Sequence, residues 1–71
     1  MSDKFSKGDD VSWEWGQGTA SGTIVDIYYE SITRTLQGTE VTRNGTEDNP
    51  AYLIEQEDGD KVLKLQSELN A

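Results

Sequence analysis

The sequence predicts an all-β fold: a small barrel of five to six short antiparallel strands with a short C-terminal helical turn. Apolar residues recur mostly with a period of two, and turn residues interrupt the chain at short intervals. The chain has 71 residues, too few for a two-sheet sandwich, and a barrel is the economical way to cover strand edges. We expect residues 1–71 to form a single domain, with residues 1–4 as a disordered tail.

The first strand is indicated by Val11, Trp13 and Trp15, which alternate with polar residues as in a strand with one buried face. We expect Trp13 to lie in the core together with Tyr52, because large aromatic side chains dominate the area buried in small cores. Phe5 precedes a turn and can fold back onto the same core. Trp15 lies at the mouth of the next turn and is expected to be exposed.

The second strand has an irregular apolar pattern, because Ile24 and Ile27 are three residues apart. A β-bulge would let both side chains point inward, and bulges bend the strands of small barrels sharply. Without a bulge, Val25, Ile27 and Tyr29 would share one face instead. The sequence favours the bulge.

Two hairpins follow, one turning at Gln37-Gly38 and the other at Asp58-Gly59-Asp60. The polar residues 44–50 between them are predicted to be a loop. From Gln66 to Leu69 we expect a short helical turn begun by Ser67, with Leu69 closing one end of the barrel.

Composition excludes several kinds of site. The chain contains no cysteine and no histidine, which rules out disulfides, thiolate metal sites and the commonest general base. Serine and threonine nucleophiles have no histidine partner, and neither a nucleophile elbow nor a phosphate loop is present. The sequence therefore predicts no enzyme activity, no cofactor and no metal site.

The formal net charge of -8 bears on the choice of partner. A polyanion such as RNA or DNA, or an anionic membrane surface, would be repelled, whereas a basic protein or peptide would be attracted. The charge could also do no more than keep a small domain soluble. The N-terminus has no apolar leader and no run is long enough to span a bilayer, so we expect a cytoplasmic protein. We also expect it to be a monomer.

Several motifs, in order along nearly the whole chain, carry a family resemblance. They are Phe5-Ser-Lys-Gly-Asp-Asp-Val-Ser-Trp13, Gly22-Thr-Ile-Val25, Asn49-Pro-Ala-Tyr-Leu-Ile-Glu55, Asp58-Gly-Asp-Lys-Val62 and Ser67-Glu-Leu69. Together they resemble the hypervirulence-associated protein Tudor domain family. The resemblance implies an SH3-like (Tudor-type) barrel and brings no site residues, cofactor or partner with it. The Tudor name suggests readers of methylated lysine or arginine, but this is an analogy at the level of the fold.

An aromatic rim is the first candidate binding site. Trp15, Tyr28 and Tyr29 could meet at one rim of such a barrel, with Glu14 as one of the nearby acids, and bind a basic or extended peptide. The alternative is that these rings only cover the ends of the core, and the sequence favours this alternative.

Two further clusters are weaker candidates. Glu55, Asp58 and Asp60 lie near one hairpin turn, where a solvated turn is favoured over a calcium site because the calcium-loop spacing is missing. Arg34 and Arg43 could lie near one another, but two arginines do not make a path for phosphates.

The sequence thus predicts a non-enzymatic interaction module. The alternatives are a structural or stress-associated protein without a discrete ligand site, which would act by self-association or solvation, and a less favoured SH3-like barrel that binds RNA or DNA.

Overall fold

Six antiparallel strands and one 3₁₀ turn account for most of residues 5–69, the part of the chain that this computed structural model describes. The predicted disordered tail, residues 1–4, lies outside the described residues. The elements are β1 (Asp10–Trp15), β2 (Gly18–Tyr28), β3 (Ser31–Leu36), β4 (Thr39–Asn44), β5 (Ala51–Glu55), β6 (Lys61–Leu65) and the 3₁₀ turn (Gln66–Glu68).

The strands form a four-stranded antiparallel sheet in the order β1-β2-β5-β6 and a separate hairpin of β3 and β4. The hairpin packs against β6, and the Gln37 side chain at its tip donates a hydrogen bond from Nε2 to the backbone oxygen of Lys61 at 3.1 Å. The prediction of an all-β barrel is confirmed. The sequence did not predict how the barrel closes. Only four strands share one hydrogen-bonded sheet, and the β3–β4 hairpin completes the barrel by packing against β6.

The predicted bulge in β2 is confirmed. The register between β2 and β5 runs from Ile24 opposite Ile54 to Asp26 opposite Leu53, so Val25 is the extra residue. As a result, Ile24 is only 1% exposed and Ile27 packs against the same core.

The core lies between the sheet and the N- and C-terminal segments. Trp13 is 2% exposed and Tyr52 is fully buried, as predicted, and Phe5 and Leu69 pack against the core cluster. The Phe5 ring meets the Tyr52 ring edge-on with 5.9 Å between centroids, a favoured aromatic geometry. The backbone N–H of Phe5 also donates to Tyr52 Oη at 3.0 Å, so the segment before β1 is fixed to the core.

Both predicted hairpin turns are confirmed. Gln37 and Gly38 have φ values of 48° and 78°, the left-handed pair that a type I′ turn between twisted strands requires. In the second turn, Gly59 has φ 90°, and Asp58 Oδ1 accepts the backbone N–H of Asp60 at 3.0 Å.

The predicted C-terminal helical turn is confirmed as a 3₁₀ turn over Gln66–Glu68. Its N-cap is Leu65, so the prediction that Ser67 initiates the turn is wrong. Glu68 supplies the acceptor instead, because its Oε1 reaches back to the backbone N–H of Leu65 at 2.8 Å. The backbone N–H of Ser67 donates to Asn49 Oδ1 at 2.9 Å and joins the turn to the preceding loop.

Candidate functional site

A groove of ≈ 480 Å³ lies between the β3–β4 hairpin and the four-stranded sheet. The apolar side chains that line it come from β1, β2, β3, β4 and β6 and include Trp13, Trp15, Leu36, Val41 and Val62. The hairpin supplies one wall and β6 the other, so the groove exists because these two elements pack side by side without a shared ladder.

Trp15 is the most exposed large apolar side chain in the described part of the chain, at 72%. It is the last residue of β1 and pairs with Gly18 across a tight turn. Trp13 and Trp15 share a strand face because side chains alternate along a strand. The core ends between them, so that Trp13 is buried while Trp15 stands free at the edge of the groove.

Three cationic side chains, Arg43, Lys61 and Lys64, also line the groove. Arg43 Nε donates to Glu68 Oε1 at 3.0 Å, and Lys61 Nζ lies 4.0 Å from Glu55 Oε2. Among residues 5–69, no carboxylate lies within 4.0 Å of Lys64 Nζ. Lys64 is therefore the cation of this groove without an acidic partner in the described chain.

The Lys64 ammonium lies over the Trp13 ring, 5.9 Å from its centroid. A cation over an aromatic face is attracted by the ring quadrupole. Lys64 is half-buried, and its alkyl stem can follow the apolar floor while the ammonium faces the groove.

The acidic residues of the groove are Asp58 and Asp60 in the β5–β6 turn. Asp58 binds a backbone N–H of its own turn, which fits the predicted solvated turn. Among the described residues, no group of three or more histidine, cysteine or acidic side chains is placed to hold a metal ion.

A second cluster, which we call the Tyr28 cluster, consists of Tyr28, Asp26, Arg34 and Lys7. The Tyr28 hydroxyl donates to Asp26 Oδ2 at 3.0 Å and accepts from Arg34 Nη2 at 3.0 Å. The Arg34 guanidinium also lies 5.1 Å from the centre of the Tyr28 ring. Lys7 Nζ is 3.6 Å from Asp26 Oδ1. This cluster connects the end of β2 to the β3–β4 hairpin.

The pKa of Asp26 is lowered from its ordinary value of 3.8. The Tyr28 hydroxyl contributes most, followed by the backbone N–H of Ile27, which donates to Asp26 Oδ1 at 3.0 Å. Lys7 adds a smaller effect, and desolvation opposes all three. Hydrogen bonds to the charged form stabilise the carboxylate, so the Tyr28 cluster is built around an ionised Asp26.

A sequence profile described as the hypervirulence-associated proteins Tudor domain matches residues 8–69. The chain belongs to this family. The matched region contains all six strands and both walls of the groove. No curated protein matches the chain, and no solved structure matches it.

The four predicted rim residues occupy different places in the Tudor domain. Glu14 and Trp15 end β1, whereas Tyr28 ends β2 and Tyr29 lies in the turn that follows. Gly18, the partner of Trp15, is the first residue of β2 and Tyr28 is the last, so Trp15 and Tyr28 are placed by opposite ends of this strand. Only Trp15 of the four lines the groove. A rim shared by all four side chains stays a prediction.

Several residues of the Tudor domain groove were not singled out by the sequence: Leu36, Val41, Val62 and Lys64. Leu36 and Val41 belong to strands in which apolar and polar residues alternate, whereas Val62 is followed by the apolar Leu63. Alternation shows which residues share a face and leaves open which strands pack together. The hydrophobic face of β3 was one available signal. The packing of this face beside β6 depends on tertiary structure.

The two arginines considered for nucleic-acid binding both have partners inside the Tudor domain. Arg34 binds the Tyr28 ring and hydroxyl, and Arg43 is paired with Glu68. They lie on the same face of the hairpin, opposite Val41 and Ile32 respectively. Their positive charges are thus directed to neighbouring side chains. Within residues 5–69, no helix is both long and apolar enough to cross a membrane.

Proposed function

We propose that this Tudor domain is a non-enzymatic interaction module that binds an extended segment of another protein in the groove, with Trp15 as the anchor. The observation that carries the proposal is the 72% exposure of Trp15 beside an apolar groove. A contiguous exposed apolar patch marks an interaction site or a binding groove, and the Trp15 indole is continuous with the apolar lining of the groove. Tryptophan is also among the residues that contribute most to binding at interfaces.

The size and lining of the groove fit a peptide segment. Its volume of ≈ 480 Å³ falls within the roughly 300–1,000 Å³ of small binding sites. One wall is the hairpin and the other is β6, so an extended segment can lie between them and direct alternate side chains to the groove floor. The absence of histidine and cysteine from the chain supports binding without catalysis.

The proposal can be tested with a display library of random dodecapeptides selected on the immobilised full-length chain. The same selection is then carried out on Trp15→Ala and on Tyr29→Ala. Tyr29 is the matched control, because its ring is also exposed, at 52%, but does not line the groove. We expect a set of peptides that is enriched on the wild-type chain and on Tyr29→Ala, and lost on Trp15→Ala.

The binding site of an enriched peptide is then located by chemical-shift titration of the ¹⁵N-labelled chain. We expect shifts at the Trp15 indole and at the amides of Leu36, Val41 and Val62, which line the groove. A selection without Trp15-dependent peptides would show that the groove is no peptide site. Shifts confined to the Tyr28 cluster would place binding elsewhere. Trp15-dependent association of the chain with itself, seen by sedimentation, would favour the self-association alternative.

A further inference from the structure

The groove has a charge balance unlike that of the chain as a whole. It is lined by three of the six basic residues of the chain, but by only two of its fourteen acidic residues. The chain carries a formal charge of -8, whereas basic residues outnumber acidic residues by three to two among those that line the groove. Two of the three basic residues, Arg43 and Lys61, are paired with carboxylates beside the groove, so its unpaired cation among residues 5–69 is Lys64.

Lys64 determines how this positive charge can be used. The salt bridge of Arg43 and the looser pair of Lys61 partly neutralise those two side chains. Lys64 has no carboxylate within 4.0 Å among residues 5–69, and its ammonium is held over the Trp13 ring. Trp13 is buried, so the ammonium is positioned by a rigid support. It offers hydrogen-bond donors to a ligand and accepts none.

The same contacts disfavour a cationic ligand. A methylated lysine or arginine needs an open aromatic face. The Trp13 ring already carries Lys64, and the Tyr28 ring already carries Arg34. In the groove, a bound cation would thus find Trp15 open but would lie near the Lys64 ammonium, which no carboxylate among residues 5–69 neutralises.

We infer that the segment bound in the groove is acidic, with an Asp or Glu carboxylate paired to Lys64 and an apolar side chain packed against Trp15. The inference rests on the proposed function, since it names the chemistry of the partner for the same groove. Charge complementarity at contact distance selects the partner. A basic partner, which the net charge alone would favour, would place like charges opposite Lys64.

The net charge of the chain does not cancel this local preference. At physiological ionic strength the Debye length is about 8 Å, so charges on distant faces of the domain are largely screened. The overall acidity lowers the rate at which an acidic segment arrives, whereas the contact with Lys64 acts on the complex once it has formed.

The test uses the peptides selected on the wild-type chain and a second selection on Lys64→Met. Methionine keeps an unbranched apolar stem over Trp13 and removes the charge. Lys7→Met is the matched control, because it removes the same charge from a residue in the Tyr28 cluster. We expect the Trp15-dependent dodecapeptides to carry net negative charge on the wild-type chain and on Lys7→Met, and to lose this bias on Lys64→Met.

The strongest Trp15-dependent peptide is then remade with every Asp and Glu changed to Asn and Gln. At 0.15 M salt we expect the wild-type chain to bind the remade peptide about three- to tenfold more weakly than the original, the range for a partly buried ion pair. On Lys64→Met the affinities for the two peptides should differ by less than about twofold. Trp15-dependent peptides that are neutral or basic would overturn the acidic partner while leaving the proposed function intact. If the remade peptide loses as much affinity for Lys64→Met as for the wild-type chain, the role of Lys64 is overturned. A U₁₂ oligonucleotide that displaces the acidic peptide and binds more tightly would overturn the assignment in favour of nucleic acid.

Discussion

Gly45 lies where three backbone segments meet, and its replacement by alanine tests this packing. A Cβ atom at this position would lie 2.6 Å from the carbonyl oxygen of Tyr28 and 3.0 Å from both Ala51 N and Glu30 O. All three are backbone atoms, so no side chain can rotate away. The N–H of Gly45 also donates to Glu30 O at 3.1 Å, which ties the end of β4 to the turn after β2.

The size of the effect follows from the distances. Ordinary contact for a Cβ atom begins at 3.4 Å, so the gap to Tyr28 O would have to open by at least 0.8 Å. Shifts of this kind in packed regions cost typically about 1–3 kcal/mol. The entropy lost by the unfolded chain offsets about 0.4–1 kcal/mol of this. The middle values of these two ranges leave a net loss in the free energy of unfolding of about 1–2 kcal/mol for Gly45→Ala. At about 4–8 °C per kcal/mol for a domain of this size, the Tm falls by roughly 4–16 °C.

The assay is thermal and urea unfolding followed by tryptophan fluorescence, since Trp13 is buried and reports loss of the core. Gly18→Ala is the matched control. Gly18 also lacks a positive φ, but a Cβ there would meet nothing within 4 Å. We expect Gly18→Ala to leave the Tm unchanged or to raise it slightly, because alanine restricts the unfolded chain.

A Gly45→Ala variant that melts within about 2 °C of the wild-type chain, well short of the shift calculated above, would contradict the close backbone packing around Gly45. The loop after β4 would then have room that the structure denies. A large loss in Gly18→Ala as well would show that glycine is needed for reasons other than close approach.

Two pH-dependent predictions concern the two groups with shifted pKa values. Burial raises the pKa of the Tyr52 hydroxyl above 10.0, so its contribution to stability is complete below pH 10 and is lost as the pH rises through the raised value. Tyr52→Phe should lower the free energy of unfolding by about 1 kcal/mol at neutral pH, because the hydrogen bonds of the hydroxyl are lost. Above pH 10 its urea midpoint should fall less than that of the wild type. An equal fall in both chains would show that Tyr52 is not the source of the alkaline loss. The pKa of Asp26 is lowered, chiefly by the Tyr28 hydroxyl, so its contribution is present above the ordinary value of 3.8 and is lost as the pH falls through the lower folded value. Urea midpoints of Asp26→Asn and the wild type should therefore differ at pH 7 and converge toward pH 2, and a difference that persists in acid would contradict this origin.

The elements predicted correctly from sequence are those governed by neighbouring residues. Alternation placed Trp13 and Trp15 on one face of the first strand, and the position of Trp15 at the mouth of the next turn indicated its exposure. The spacing of Ile24 and Ile27 indicated the bulge, since one extra residue restores both to the inner face. The turn at Gln37-Gly38 followed from local conformational preference.

The features that sequence reasoning missed depend on contacts between distant segments. Gly45 appeared only as part of a polar loop, although its missing side chain is required by backbone atoms up to 17 positions away. The contact of Lys64 with Trp13 joins residues 51 positions apart and has no local signal. Nor does the alternation of a strand say which strand its exposed face will meet. Local patterns therefore could not predict the groove, whereas they did predict the exposure of Trp15.

Net charge and contact charge lead to opposite expectations for the partner of this Tudor domain. The value of -8 sums charges over the entire surface, and charges on distant faces of the domain are largely screened at physiological ionic strength. Binding free energy in a groove depends on the few groups that lose water there. In this domain those groups include Lys64, which has no acidic partner among the described residues, and Trp15, which has an open ring. Because Lys64 already occupies the Trp13 face, we expect a ligand carboxylate beside Lys64 to be favoured over a second cation. The local arrangement, and not the overall charge, should decide which segments bind.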